Sequence, residues 1–172
     1  MRLTRLGFDA IQENAHFIPV NAFSVGGYVN GAVTRFIWKD TDWERFANSY
    51  HIRINTTGDP ARGNCLDVEN GDATPDHVQA FIEHKGGCPN DPILVYCNRS
   101  NVDAVVAARN AAEKASNVFA YIWCATLDGT LTNHAMTQMF QAKTETGFVF
   151  ADVSAILDEN LISLMTGRIG KQ

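Results

Sequence analysis

No apolar run in this sequence approaches the roughly 18 residues that a membrane-spanning helix needs, and no cluster of lysine and arginine breaks its scattered charge. The first absence argues against a membrane-embedded chain. The second, with 14 basic against 19 acidic residues and a net charge of −5, removes the footprint of phosphate-backbone binding. Neither membrane nor nucleic acid is therefore an expected partner. No Gly-x-Gly-x-x-Gly follows the first apolar segment and no Gly-Lys-Ser/Thr loop occurs, so the usual nucleotide-binding signatures are missing too. Cysteine is scarce: Cys65, Cys88, Cys97 and Cys124 show no Cys-x-x-Cys spacing, and three of them fall within strand-like segments, which reads as buried reduced thiols. The five histidines, His16, His51, His77, His84 and His134, form no paired ligand spacing, so no metal and no cofactor is expected. The opening "MRLTRLGFDAIQ" passes from Met into a strand-like segment without a signal-peptide apolar region, which predicts synthesis in the cytoplasm.

What is there is an ordinary globular composition, 45% hydrophobic and 19% charged, with no low-complexity tract to mark a linker. At 172 residues the chain is long enough for one self-sufficient core, so residues 1–172 are expected to form a single domain. Short apolar segments alternate with helical ones, the pattern of repeated βα units. Strand candidates are "RLGFDA", "FSVGGYV", "HIRINT", "NCLDVE", "PILVYCN", "VFAYIWCAT", "AMTQMFQA" and "GFVFADVSAI". Between them, "TDWERFANSY" carries a Thr-x-x-Glu capping box with Trp43, Phe46 and Ala47 spaced for one face. "TPDHVQAFIEHKGG" starts with Thr74 as N-cap and Pro75 in the first turn, and the alanine-rich stretch 100–116 and "DENLISLMTG" complete the helices. Eight strand candidates predict a compact α/β (β/α)8 TIM-like barrel with some helices short or missing; a doubly wound open sheet is the alternative.

In a parallel α/β fold the site lies at the carboxyl ends of the strands. Asp9, the pair Asp67 and Glu69, Tyr96 followed by Arg99, Trp123, Gln141 and Asp152 are the reactive or sugar-binding side chains near the ends of strand candidates. Strand alternation points Asp67 and Glu69 the same way, their Cα atoms about 6 to 7 Å apart, with Cys65 below them and Leu66 and Val68 turned toward covering helices. Two acids on an inward face are costly unless they are solvated, paired or functional. Solvation or pairing with Arg99 is one explanation and a catalytic pair is the other. Asp9 reads equally as a turn residue, Asp152 as a cap before the last helix, and Tyr96 and Trp123 as core or rim aromatics.

"GFDA" followed by Gln12, then "LDVE", "ILVYCNRS", "YIWCA" and "QAKTETGFVFADVSAI", in this order over most of the chain, resemble the glycoside hydrolase family 25 lysozymes. The resemblance extends to the related glycoside-hydrolase-like TIM-barrel domains of actinobacterial secreted proteins and actinobacterial phages. It implies Glu69 as general acid, Asp67 assisting beside it, and Asp9 and Asp152 as further carboxylates around the sugar, with Tyr96, Arg99, Trp123 and Gln141 in substrate binding. The implied partner is a β-linked N-acetylated glycan, peptidoglycan first, acted on by a muramidase-like hydrolase. The alternative expectation is a non-catalytic glycan-binding or structural module of a phage virion or tail, associated with other virion proteins.

Overall fold

In a computed structural model that describes residues 4–86 and 91–171, the eight strand candidates close into one barrel. The strands are β1 (Arg5–Asp9), β2 (Ser24–Tyr28), β3 (Tyr50–Asn55), β4 (Cys65–Val68), β5 (Ile93–Asn98), β6 (Ala120–Ala125), β7 (Met136–Lys143) and β8 (Val149–Ile156). Neighbours in sequence pair throughout, and β8 closes onto β1. Strands β1 to β7 run parallel, whereas β8 is antiparallel to both of its neighbours. The cause is local. A parallel pair needs a crossover of a dozen or more residues, but β7 and β8 are joined by a tight turn closed by Gly147 N to Thr144 O and Thr144 N to Phe148 O, both at 2.9 Å.

Four α-helices lie among the described residues: α1 (Asp40–Glu44), α2 (Val78–Lys85), α3 (Val102–Ser116) and α4 (Glu159–Arg168). The β3–β4 and β6–β7 connections carry none, which is how an eight-stranded barrel fits this length. The helix expected over 41–50 shrinks to α1. Its start is held by Asp42, whose carboxylate accepts from the Lys39 N–H at 2.8 Å, rather than by Thr41 and Glu44. Trp43 and Phe46 are buried as the spacing predicts, but Ala47 is exposed because the helix has ended before it. The alanine-rich helix α3 ends at Asn117, which takes the left-handed conformation at φ +57° that asparagine tolerates better than most residues. Helix α4 is capped by Asp158, whose carboxylate accepts from Leu161 N at 2.9 Å. Asp158→Ala is expected to cost about 1 kcal/mol, measured by urea denaturation.

Period-two alternation divides the barrel wall into two faces. Outward, Leu66, Val68, Val95 and Ile122 pack under α2 and α3 with Phe81, Ile82 and Val105. Inward, Tyr50, Ile52, Ile54, Cys65, Leu94, Trp123, Met136 and Ile156 fill the lumen, joined by Leu161 and Met165. Helix α4 therefore plugs the amino-terminal end of the parallel strands and leaves the carboxyl end open for a site. A third cluster, around Val25, Trp38, Trp43 and Phe46, covers the outside of β2. Cys65, Cys97 and Cys124 are buried free thiols, and Cys88 lies outside the described residues.

Candidate active site

At the carboxyl end of the lumen, Asp9, Asp67, Glu69 and Asp152 line one cavity of about 70 Å³ together with Tyr28, Ile54, Tyr96 and Trp123. Asp9 is the last residue of β1 and Asp67 the third of β4; both are buried, at 6% and 3% exposure, and neither is a turn residue or a solvated strand end. Glu69 follows immediately after β4, and the loop folds back so that Ala73 N donates to Asp67 O at 3.2 Å. Asp152 belongs to the middle of β8 and is not a helix cap. It reaches the same level because β8 runs backwards, which puts it directly opposite Asp9 on one side and Gln141 on the other.

The acids crowd one another without a cation among the cavity-lining residues. Burial, followed by the charges of Asp152, Asp67 and Glu69, pushes the Asp9 carboxyl well above the usual range. Burial, then Glu69 and Asp72, raises Asp67 to about 8. Glu69 is raised by burial and by Asp72, while a hydrogen bond from the Tyr96 hydroxyl pulls it partly back. Asp152 is raised by burial and pulled back by amide donors from Gln141 and Gln138. Asp9 Oδ1, Asp67 Oδ1 and Asp152 Oδ1 are buried with no hydrogen-bond partner in the protein. Acceptors of this kind are matched by a carboxyl proton or by a donor from outside, such as a sugar hydroxyl or amide.

Close backbone approach makes room for this cluster. A Cβ on Gly26 would stand 2.6 Å from Asp9 Cβ and 3.3 Å from the Ile54 side chain, so the glycine of β2 is what lets Asp9 turn inward. Gly26→Ala is expected to destabilise by about 1 to 3 kcal/mol through overpacking and to displace Asp9; thermal denaturation and a crystal structure of the variant check both.

The sequence-predicted binding residues fare differently. Tyr96 is at the cavity and touches Glu69. Trp123 lines the cavity as its floor: the indole is 1% exposed, donates from Nε1 to Ser154 Oγ at 2.9 Å and meets Tyr96 edge-on at 4.9 Å, so it has no open face for stacking. Arg99 is not among the residues that line the cavity. It sits one residue beyond β5, where strand alternation no longer aims it, and is half-exposed in an ion pair with Asp128 at 2.9 Å, away from the acids. Gln141 sits at the rim against Asp152.

Three further residues act on the site without a sequence pattern that singles them out. Tyr28 ends β2 and lines the cavity. Asp72, in the loop after β4, acts on both Asp67 and Glu69. Gln138 is buried at 2% exposure and donates to Asp152. Gln138 and Gln141 are three apart and would face opposite ways in a regular strand. A register shift between Gln138 and Phe140 inserts one residue, so both reach Asp152. The glutamine three residues before Gln141 was the available signal.

No family model and no curated protein sequence matches the chain. Solved structures do. A family GH25 lysozyme from Aspergillus fumigatus superposes with a TM-score of 0.59 at 12% identity, over 96% of this chain and 100% of that one. The catalytic domain of endolysin ply40 from bacteriophage P40 of Listeria monocytogenes gives 0.55 at 11% identity, over 97% and 99%. The fold is that of the GH25 lysozymes. The CTP1L endolysin, at 0.53 and 14% identity over 95% of this chain and 70% of that one, shares it.

Proposed function

We propose that the barrel is a glycoside hydrolase acting on a β-linked N-acetylated glycan, with peptidoglycan the first candidate. The observation that carries this reading is the four-carboxylate cavity at the open end of a lysozyme-type barrel. Glu69 is the general acid: burial and Asp72 help it keep its proton, and it lies at the strand end where a glycosidic oxygen can approach. It donates that proton as the bond from the anomeric carbon to the leaving oxygen breaks. Asp67 assists by orienting the 2-acetamido group, whose carbonyl oxygen attacks the anomeric carbon while Asp67 takes up the developing positive charge. With its carboxyl raised to about 8, ionising Asp67 at pH 7 costs about 1.4 kcal/mol, small beside the barrier such a charge lowers. Asp9 and Asp152 are further carboxyl groups around the sugar.

Incubation with purified peptidoglycan, followed by reducing-end assay and mass spectrometry of the fragments, tests this. New sugar reducing ends are the expected result; none on peptidoglycan or on chitooligosaccharides between pH 4 and 8 overturns it. The rate is expected to fall as pH rises through the upper apparent pKa of the Asp67 and Glu69 pair. Asp72→Asn removes a like charge that raises that pKa, so the falling limb should move to lower pH in a pH–rate profile.

A non-catalytic glycan-binding or structural module of a phage virion is the second reading. It is favoured by the burial of Asp9 and Asp67, at 6% and 3% exposure, which limits their reach to a sugar. Under this reading purified particles contain the chain, and the digestion yields nothing.

A further inference from the structure

Of the free cysteines among the described residues, two are neighbours. Cys97 of β5 and Cys124 of β6 are direct register partners in the parallel sheet. Tyr96 and Trp123, one residue before each, turn into the lumen, so alternation turns both thiols outward, where Cys97 packs with Val102 and Val105 of α3. Cys65 has no such neighbour, since its register partners are Ile54 and Leu94.

The two thiols interact. Cys97 S–H donates to Cys124 Sγ, which pushes the Cys97 thiol up and the Cys124 thiol down from their ordinary values; burial adds to the first effect and the Arg99 charge to the second. One sulfur is thereby made the nucleophile and the other the proton holder, the division that thiol oxidation needs. Cys65, by contrast, is pushed up by burial and by Asp67 and stays a thiol. Exposures of 0% for Cys97 and 1% for Cys124 keep bulky reagents away. Each is nonetheless the last residue but one of its strand, with exposed Arg99, Ser100, Leu127 and Asp128 just beyond, and strand ends are where a fold opens at least cost.

We propose that Cys97 and Cys124 are a redox-active dithiol, which a small hydroperoxide converts to a disulfide joining β5 to β6. The Cys124 thiolate attacks the hydroxyl oxygen of the hydroperoxide. The O–O bond breaks, the sulfur becomes a sulfenic acid, and the departing alkoxide takes a proton from solvent. Cys97 sulfur then attacks the sulfenic sulfur: the S–S bond forms, the S–O bond breaks, and the hydroxide leaves as water with the Cys97 proton. Two thiols and one hydroperoxide thus give one disulfide, one alcohol and one water, the two electrons passing from sulfur to the peroxide. The bond is reversible for a geometric reason. Neighbouring strands stand about 4.8 Å apart, whereas the Cβ atoms of a disulfide lie about 3.5 to 4.5 Å apart, so closure draws the strands together and leaves a bond that thiols reduce readily. It also tightens the wall directly behind Tyr96 and Trp123 at the acid cavity, whatever that cavity binds.

The Cys88→Ser protein treated with hydrogen peroxide, then quenched, unfolded and assayed for thiols, reads this out. That background leaves three cysteines and makes Cys97 the only one in tryptic peptide 86–99. Loss of two of the three thiols is expected, with peptide 86–99 linked to peptide 115–143 in the mass map and both thiols restored by dithiothreitol. Cys124→Ala in the same background should form no link and keep its two thiols through the same exposure; a melting curve establishes that it is folded. Survival of all three thiols under peroxide that oxidises free N-acetylcysteine overturns the proposal. So does a link to Cys65, or oxidation of Cys124 to the sulfinic acid without any link to Cys97.

Discussion

Glu69→Gln is expected to lower turnover of peptidoglycan by about 10²- to 10⁴-fold, the usual contribution of a general acid, with the melting temperature unchanged or slightly raised. The amide matches the carboxyl in size and still accepts the Tyr96 hydroxyl. What it lacks is an acidic proton. Stability does not fall, because Glu69 is one of the charges that crowd Asp9 and Asp67, and a neutral side chain relieves both. Initial rates by reducing-end assay and a scanning-calorimetry trace of each protein check the two halves. Equal turnover in wild type and variant would move the proton donor to another of the acids, with Asp152 next in exposure.

Asp67→Asn is expected to stabilise the protein at pH 8 and to flatten the dependence of its stability on pH. In the unfolded chain Asp67 titrates near 3.8, and in the fold at about 8. Below pH 4 both states hold the proton. Between pH 4 and pH 8 the unfolded chain releases it and the folded protein does not, so stability declines as pH rises and levels off above 8. At about 1.4 kcal/mol per unit the ceiling of this loss is about 5 to 6 kcal/mol, and the shared charge with Glu69 and Asp72 brings the contribution of Asp67 alone to a few kcal/mol. Asparagine is neutral throughout and carries none of it. Urea denaturation at pH 5 and pH 8 reads the slope directly: a gap between the two pH values as wide in Asp67→Asn as in wild type would rule out a buried, proton-holding Asp67. Buried Asp9 contributes with the same sign, so the variant keeps a smaller slope. Activity should fall in this variant as well, since an amide does not ionise to meet the charge developing at the anomeric carbon.

Both predictions concern residues legible in the chain itself. An acid pair at i and i+2 in an apolar strand shares one face whatever the fold, and a charge placed inward has to be explained. Leu66 and Val68 under the helices, with Cys65 and Asp67 in the lumen, follow from the same alternation. Arg99 and Gln138 show where alternation stops informing. Arg99 lies past the end of its strand and is captured by Asp128. Gln138 is brought beside Gln141 by a bulge that no periodicity announces. Alternation turns Trp123 inward but does not set its depth, because depth depends on how the closed barrel stacks its layers.

The sequence by itself determined the eight strands, their inward and outward faces and the acids among them, because side-chain period and the penalty for buried charge are local properties of a chain. Tertiary structure alone decided that β8 runs backwards and so delivers Asp152 opposite Asp9, that Gly26 yields its space to Asp9, and that Tyr28 and Asp72 come beside the acids. Those are relations between segments far apart in the chain, fixed only when the barrel closes and each strand takes its register from its neighbours.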